Sequence, residues 1–264
     1  MGINMDMFIS VFAGLFGLVL GSFFNVCIYR IPRGKSIVWP ASHCPKCNKP
    51  IKWYDNIPLL SFLFLRGNCR NCKAPISWQY PAVEGLAAIL TTVFVDYYGL
   101  SVWTLGVLLA VYFLIILSVI DLQLMIIPDR FSLGLIVLGL AFAWCNPNFY
   151  GVWWQRELWS LLGAAVGLVG TLGIALLGTW LFKKEAMGGG DVKLMAGIGA
   201  FVGWQGVITT IVMGSFFGLV YAVLLMIFKG KKGGDAIPFG PFLSLAAVIN
   251  LFSLVTPAML VIEF

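Results

Sequence analysis

The sequence predicts an all-α polytopic membrane protein of about eight transmembrane helices with one small polar insert. Three observations carry this. Mean hydropathy is +0.95, and 60% of the 264 residues are hydrophobic while only 11% are charged. A soluble domain is nearer half apolar and a quarter charged. Long apolar stretches recur, each near the roughly 20 residues that span a hydrocarbon core of about 30 Å. Finally, the basic residues fall almost entirely into alternate connections.

The stretches are about 7–29, 81–98, 101–120, 129–146, 157–182, 191–204, 207–228 and 241–262. The first follows only Asp6, with no basic segment before it, and is read as a retained helix rather than a signal peptide. Of 17 Lys and Arg residues, nine lie between the first two stretches: Arg30, Arg33, Lys35, Lys46, Lys49, Lys52, Arg66, Arg70 and Lys73. Arg130, Lys183, Lys184, Lys193, Lys229, Lys231 and Lys232 fall in later odd-numbered connections or just inside the next stretch. Only Arg156 lies on the other side. The positive-inside rule therefore places the insert in the cytoplasm and both termini outside. Tyr97, Tyr98, Trp103, Trp153, Trp154 and Trp204 fall where an outer aromatic belt belongs. The net charge of +6 sets topology and meets anionic lipid. It forms no separate basic patch, so nucleic acid is not an expected partner. Three regions result: 1–29 as first helix, 30–80 as cytoplasmic insert, and 81–264 as the membrane core.

The insert holds Cys44-Pro-Lys-Cys47 and Cys69-Arg-Asn-Cys72, separated by 21 residues. Two thiolates on one tight knuckle reach one ion, and two knuckles complete a four-sulfur structural zinc site. In a reducing cytoplasm, disulfides or thiol exchange are the weaker alternative. A four-cysteine site has no open position, so one zinc per chain would stabilise an insert too poor in aliphatics to build a core. Cys27 and Cys145 read as small buried hydrophobes. His43, the sole histidine, adjoins a zinc cysteine and reads as its solvated or supporting neighbour. Hydrolases built on two zinc-binding histidines, or on a histidine base, are therefore improbable.

Carboxylates remain. Asp121 closes one apolar stretch, and Asp191 follows Gly188, Gly189 and Gly190 to open another. Both connections lie on the predicted cytoplasmic side, and ionisable groups at this depth mark function by default. From Asp191 to Trp204 is only about 21 Å of helix, which sets Asp191 below the head groups. Two neighbouring carboxylates share a proton, one acting as base toward water while the other protonates or polarises a carbonyl. The positive end of the sixth helix favours Asp191 as the more anionic partner. Spacing alone leaves other roles open. Asp191 and Asp129 suit helix N-caps, Asp129 also stands beside Arg130, Asp121 has a loop or ion-pair role available, and Glu84 either pairs with a basic neighbour or faces the cavity. Gly163, Gly167, Gly170 and Gly173 form a stripe for close helix packing. Pro238-Phe-Gly-Pro241 reads as a loop entering the last helix, with prolines suited to its start.

Across nearly its whole length the chain resembles the type IV prepilin peptidases. The resemblance is carried by Gly21-Ser-Phe-Phe-Asn-Val-Cys-Ile-Tyr-Arg30, the two Cys-x-x-Cys pairs and Trp53-Tyr-Asp-Asn-Ile-Pro-Leu-Leu-Ser-Phe. Tyr80-Pro-Ala-Val-Glu84, Asp121 with Pro128-Asp129, Gly188-Gly-Gly-Asp191-Val-Lys193 and Pro238-Phe-Gly-Pro241 complete it. It implies an intramembrane-type aspartyl peptidase of the bacterial inner membrane, with Asp121 and Asp191 catalytic and Gly188, Gly189, Gly190, Lys193 and Asp129 supporting the catalytic loops. The implied partners are prepilin or pseudopilin helices in the bilayer, cut after a glycine that ends a short basic leader. The implied second step is N-methylation from S-adenosylmethionine, for which the sequence names no binding residue beyond the Trp53–Phe62 stretch as a candidate surface. Two rivals from other classes are a proton- or cation-coupled transporter using the same aspartates, and a zinc-stabilised assembly factor without catalysis.

Overall fold

A computed structural model describes residues 5–184, 187–229 and 237–260. Every named element is helical, in the order α1 (Met5–Arg30), α2 (Leu60–Phe64), α3 (Gln79–Tyr98), α4 (Val102–Leu124), α5 (Asp129–Phe142), α6 (Trp153–Phe182), α7 (Gly189–Lys229), α8 (Gly240–Phe252) and α9 (Pro257–Leu260). The chain divides into two compact units, Met1–Leu100 and Ser101–Phe264. Lys231 and Lys232, counted in the charge pattern, lie outside the described residues, as do the two termini.

Each predicted stretch carries a helix, with different lengths. Four spans are by themselves long and apolar enough to cross a membrane: Met5–Arg33, Val102–Leu124, Trp153–Leu181 and Gly189–Phe228. The fourth stretch stops as a regular helix at Phe142, and the eighth at Phe252 rather than 262. The sixth and seventh merge into α7, interrupted only at Gly203, whose φ of 70° and ψ of 179° leave helical space.

The break is sharp. A Cβ on Gly199 would lie 2.9 Å from Cγ2 of Val207, whereas eight residues of straight helix extend about 12 Å. The chain folds back there, and α7 is two helices joined at one residue. Side chains from elsewhere satisfy the carbonyls orphaned at that break. Asn146 Nδ2 donates to the Phe201 carbonyl at 2.8 Å, and the Ser160 hydroxyl donates to that of Ala200 at 2.7 Å.

From Leu194 to Val202 the first half of α7 is apolar all round, which suits a helix enclosed by others. Leu194, Met195, Ala196, Ala200, Phe201 and Val202 are all buried. Helix α5 packs closely on it through Gly139 against Ala200 and Gly197 against Leu135. Helix α6 does so through Gly163 against the Gly199 carbonyl and Gly167 against that of Met195. The predicted stripe is thus half right: a Cβ on Gly170 or Gly173 meets nothing within 4 Å. The second half of α7 lies against α8, where Gly214 faces Leu243.

In the first unit, Gly17 and Gly21 of α1 meet the α3 backbone at Ala88 and Glu84, where a Cβ would come within 2.7 and 2.6 Å of Cα atoms. Small residues permit this approach, and in lipid it is packing rather than hydrophobic burial that holds such helices together. Arg30 ends α1 buried, its guanidinium donating to the Ser36 and Pro40 carbonyls at 2.9 and 2.6 Å, which fixes the chain entering the insert.

Candidate functional site: an aspartate pair and a four-cysteine cluster

Asp121 lies in the last turn of α4. Its carbonyl accepts the Met125 N–H at 2.9 Å, a left-handed stop with Met125 at φ 53°. That cap leaves the side chain free to point away from its own helix. Asp121 is 5% exposed, and its Oδ2 accepts the backbone N–H of Gly240, first residue of α8, at 3.0 Å. Asp191 is the third residue of α7, its own N–H bonded to the Gly188 carbonyl at 3.1 Å. Its Oδ1 is buried with no hydrogen-bond partner.

The two carboxylates are brought into electrostatic range of one another, and Ile127 marks the ground between them. A Cβ on Gly190 would lie 2.9 Å from Ile127 Cβ, and one on Gly240 would lie 3.2 Å from Ile127 Cδ1 and 2.9 Å from Asp121 Oδ2. Four segments converge there: the end of α4, the loop before α5, the glycine turn opening α7 and the start of α8. Bare glycine backbone is what permits this crowding.

These contacts decide between the roles that spacing left open. Asp191 is not an N-cap, because α7 already begins at Gly189. Asp121 has no ion-pair partner among the described residues; the ion pairs found there are Arg70–Asp55 and Lys193–Asp129. Asp129 opens α5 after Pro128 and makes no side-chain cap. It pairs with Lys193 at 2.8 and 2.9 Å rather than with Arg130, tying the start of α5 to the start of α7. Glu84 meets no basic neighbour in its hydrogen bonds; it is buried in α3 and accepts the Leu59 N–H at 2.8 Å, holding a residue at φ 57°. Each carboxylate accepts one backbone N–H, Asp121 that of Gly240 and Asp191 that of Gly188. Hydrogen bonds to a carboxylate favour its charged form, so these donors alone do not make Asp191 the more anionic partner.

The cysteines form a second constellation, in the first unit. The ligand sulfurs of Cys44, Cys47, Cys69 and Cys72 all lie within 4.8 Å of one another, and Cys44 Sγ stands 3.8 Å from Cys72 Sγ. Four sulfurs at about 2.3 Å from one ion would be roughly 3.8 Å apart, whereas a disulfide would bring two to about 2.05 Å. The two knuckles are internal repeats. Cys44 N–H bonds the Lys49 carbonyl and Asn48 N–H that of Cys44; Cys69 N–H bonds the Ala74 carbonyl and Lys73 N–H that of Cys69. Asn48 and Lys73 both turn at positive φ, 56° and 59°. Backbone N–H groups of Cys72 and Asn71 aimed at the Cys69 sulfur draw that thiol down, while desolvation and the three neighbouring sulfurs push Cys72 up despite a backbone bond at Ala74. The four sulfurs are close enough together to serve as ligands of one metal ion.

His43 stays outside the four sulfurs, its Nδ1 3.0 Å from the Ala41 carbonyl. Cys27 is buried, as expected, and Cys145 is half-buried. Spacing did not reveal the part played by Ile127 and Gly240. The signal for Gly240 was present in Pro238-Phe-Gly-Pro241, but a helix start explains those residues equally well.

Comparison with known proteins agrees with this architecture. Residues 15–98 match the bacterial peptidase A24 N-terminal domain, and residues 108–223 match the type IV leader peptidase family. The chain belongs to the type IV leader peptidase family. The prepilin leader peptidase/N-methyltransferase of Aeromonas hydrophila is 36% identical over 90% of this chain and 88% of its own length. That of Legionella pneumophila is 34% identical over 95% and 93%. The type 4 prepilin-like proteins leader peptide-processing enzyme of an Escherichia coli strain is 35% identical over 92% and 93%. No solved structure matches the chain. Both matched regions of the family coincide with the two units: the cysteine cluster falls in the first and the aspartates in the second.

Proposed function

We propose that this protein is a bifunctional inner-membrane enzyme that removes the leader of type IV prepilins or pseudopilins and N-methylates the new N-terminus. The observation that supports the peptidase half best is the convergence of two carboxylates, buried Asp121 and half-buried Asp191, without a cationic partner among the described residues. In such a pair a single proton is shared, which supplies a base and an acid at once. The base carboxylate takes a proton from water, and the water oxygen bonds to the carbonyl carbon of the glycine that ends the leader. The other carboxyl gives its proton to the carbonyl oxygen. When the tetrahedral intermediate collapses, the C–N bond breaks and the departing amine takes the remaining proton. The glycine turn at Gly188, Gly189 and Gly190 leaves room for an extended substrate backbone beside Asp191, and the Lys193–Asp129 pair steadies the loops on either side.

In this reading the ion held by Cys44, Cys47, Cys69 and Cys72 is one structural zinc, since four thiolates leave no coordination position for substrate. S-adenosylmethionine supplies the methyl group for the second reaction, and Trp53–Phe62 is the surface offered for it. Eight crossings with the insert and both aspartates facing the cytoplasm complete the topology, supported by sixteen of seventeen basic residues on one side. Family membership leaves the transporter and assembly-factor readings without support.

Purified protein incubated with a precursor pilin should yield a shortened chain by mass and N-terminal sequencing, and a further 14 Da (about one methylene) only with the methyl donor. Asp121→Asn and Asp191→Asn should each slow the shortening by about 10²–10⁴-fold. Cleavage that keeps its wild-type rate through both substitutions would sink the assignment.

A further inference from the structure

The loop Pro238-Phe239-Gly240-Pro241 is a third wall of the aspartate site. We propose that Gly240 is a positioning residue for catalysis: its backbone N–H fixes the Asp121 carboxylate as the member of the pair that takes the proton from water. This rests on the peptidase reading above.

Three observations carry it. The first is the bond itself, Gly240 N–H to Asp121 Oδ2 at 3.0 Å, joining residues 119 apart in sequence at a buried site. The second is where that donor comes from. The first N–H groups of a helix have no partner within it. In α8, Pro241 has no N–H, and those of Phe242 and Leu243 turn back to the Phe239 carbonyl at 3.1 and 3.2 Å. The Gly240 donor is thus directed at Asp121, and the positive end of α8 with it. The third is space. Any side chain at 240 would begin 2.9 Å from Asp121 Oδ2 and 3.2 Å from Ile127 Cδ1, closer than a carboxylate oxygen tolerates carbon.

The consequence is an asymmetric pair. Both acids accept one backbone N–H, Asp121 from Gly240 and Asp191 from Gly188, but Asp191 also carries a buried Oδ1 with no partner. A hydrogen bond to the ionised form favours it, and an unpartnered oxygen in a buried place disfavours charge and is better placed to carry the shared proton. Asp121 is therefore the base toward water, and Asp191 delivers its proton to the carbonyl oxygen. The Pro-Phe-Gly-Pro loop becomes part of the site through its backbone.

The test uses the full-length protein in detergent, a precursor pilin and three variants. Gly240→Ala keeps the N–H but pushes the carboxylate away, and a displacement of that order costs about 10²-fold in kcat. KM and melting temperature should remain at wild-type values. The loss should vary with pH, because a smaller folded fraction would scale the rate equally at every pH. Adding Ile127→Val removes the hydrocarbon contact while leaving the carboxylate contact, so the double variant should stay as slow. Full activity of Gly240→Ala, or recovery in the double variant, overturns the proposal. If Gly240→Ala does not fold, amide exchange at Gly240 decides: protected in wild type and fast in Asp121→Ala is expected, and equal rates in the two overturn it. Failure of the peptidase reading itself looks different, since either wild type would not cleave or Asp121→Asn still would.

Discussion

At the scale of single residues, charge and burial decide what each acid does. Asp121 and Asp191 are held near each other without a cation, whereas Asp129 and Asp55 are each matched to one. If the pair does the acid–base work proposed, replacing either member by Asn should lower kcat by about 10²–10⁴-fold, measured by the rate of precursor shortening, with the melting temperature little changed. The outer acids behave differently. Arg70 donates three hydrogen bonds of 2.7 to 3.0 Å to the Asp55 carboxylate, which holds that carboxyl below its usual range. A lowered folded value means the pair stabilises the insert at any pH above the ordinary aspartate value of about 3.9 and is lost as pH falls through the lower one. Following the Asp55 carboxyl carbon by NMR should show this low titration, and Arg70→Ala should return it upward toward the ordinary value. With Arg70 half exposed, the effect on overall stability is small.

At the scale of elements, glycine backbone sets how close helices come. Gly163 leaves its neighbour's Gly199 carbonyl no room for a side chain, while Gly173 faces open space. Gly163→Val should therefore destabilise by about 1–3 kcal/mol through overpacking, and Gly173→Val should lie near zero, a contrast read by thermal unfolding in one detergent. Gly203 poses a different demand. Its φ of 70° with ψ of 179° is a conformation open essentially to glycine, and a residue with a Cβ there carries about 1–3 kcal/mol of strain. Gly203→Ala should lower the melting temperature and weaken the fold-back of α7 on itself.

At the scale of the whole molecule, the division into two units separates two kinds of stability. The two candidate acids and the contacts described for them lie within Ser101–Phe264, and the cysteine cluster lies within Met1–Leu100. Cys44→Ser combined with Cys72→Ser should abolish metal content measured on the purified protein and expose the insert to proteolysis. Methyl transfer should fall before precursor cleavage does. Immediate loss of cleavage with an intact fold would show that the metal cluster serves the peptidase directly.

Hydropathy, charge asymmetry, the paired Cys-x-x-Cys motifs and the two aspartates were legible from the chain alone, because each depends on local composition or on spacing of a few residues. Membrane character, the cysteine cluster and the candidate acids needed no long-range information. The reversal at Gly203 was anticipated only as a gap between two stretches, since a single residue's dihedral leaves no mark in hydropathy. The partner of Asp129, the caps that Asn146 and Ser160 provide, and the meeting of Gly240 with Asp121 were decided by tertiary structure. Each joins groups 40 to 119 positions apart, and which helix end reaches which carboxylate is fixed only when four chain segments pack into one place.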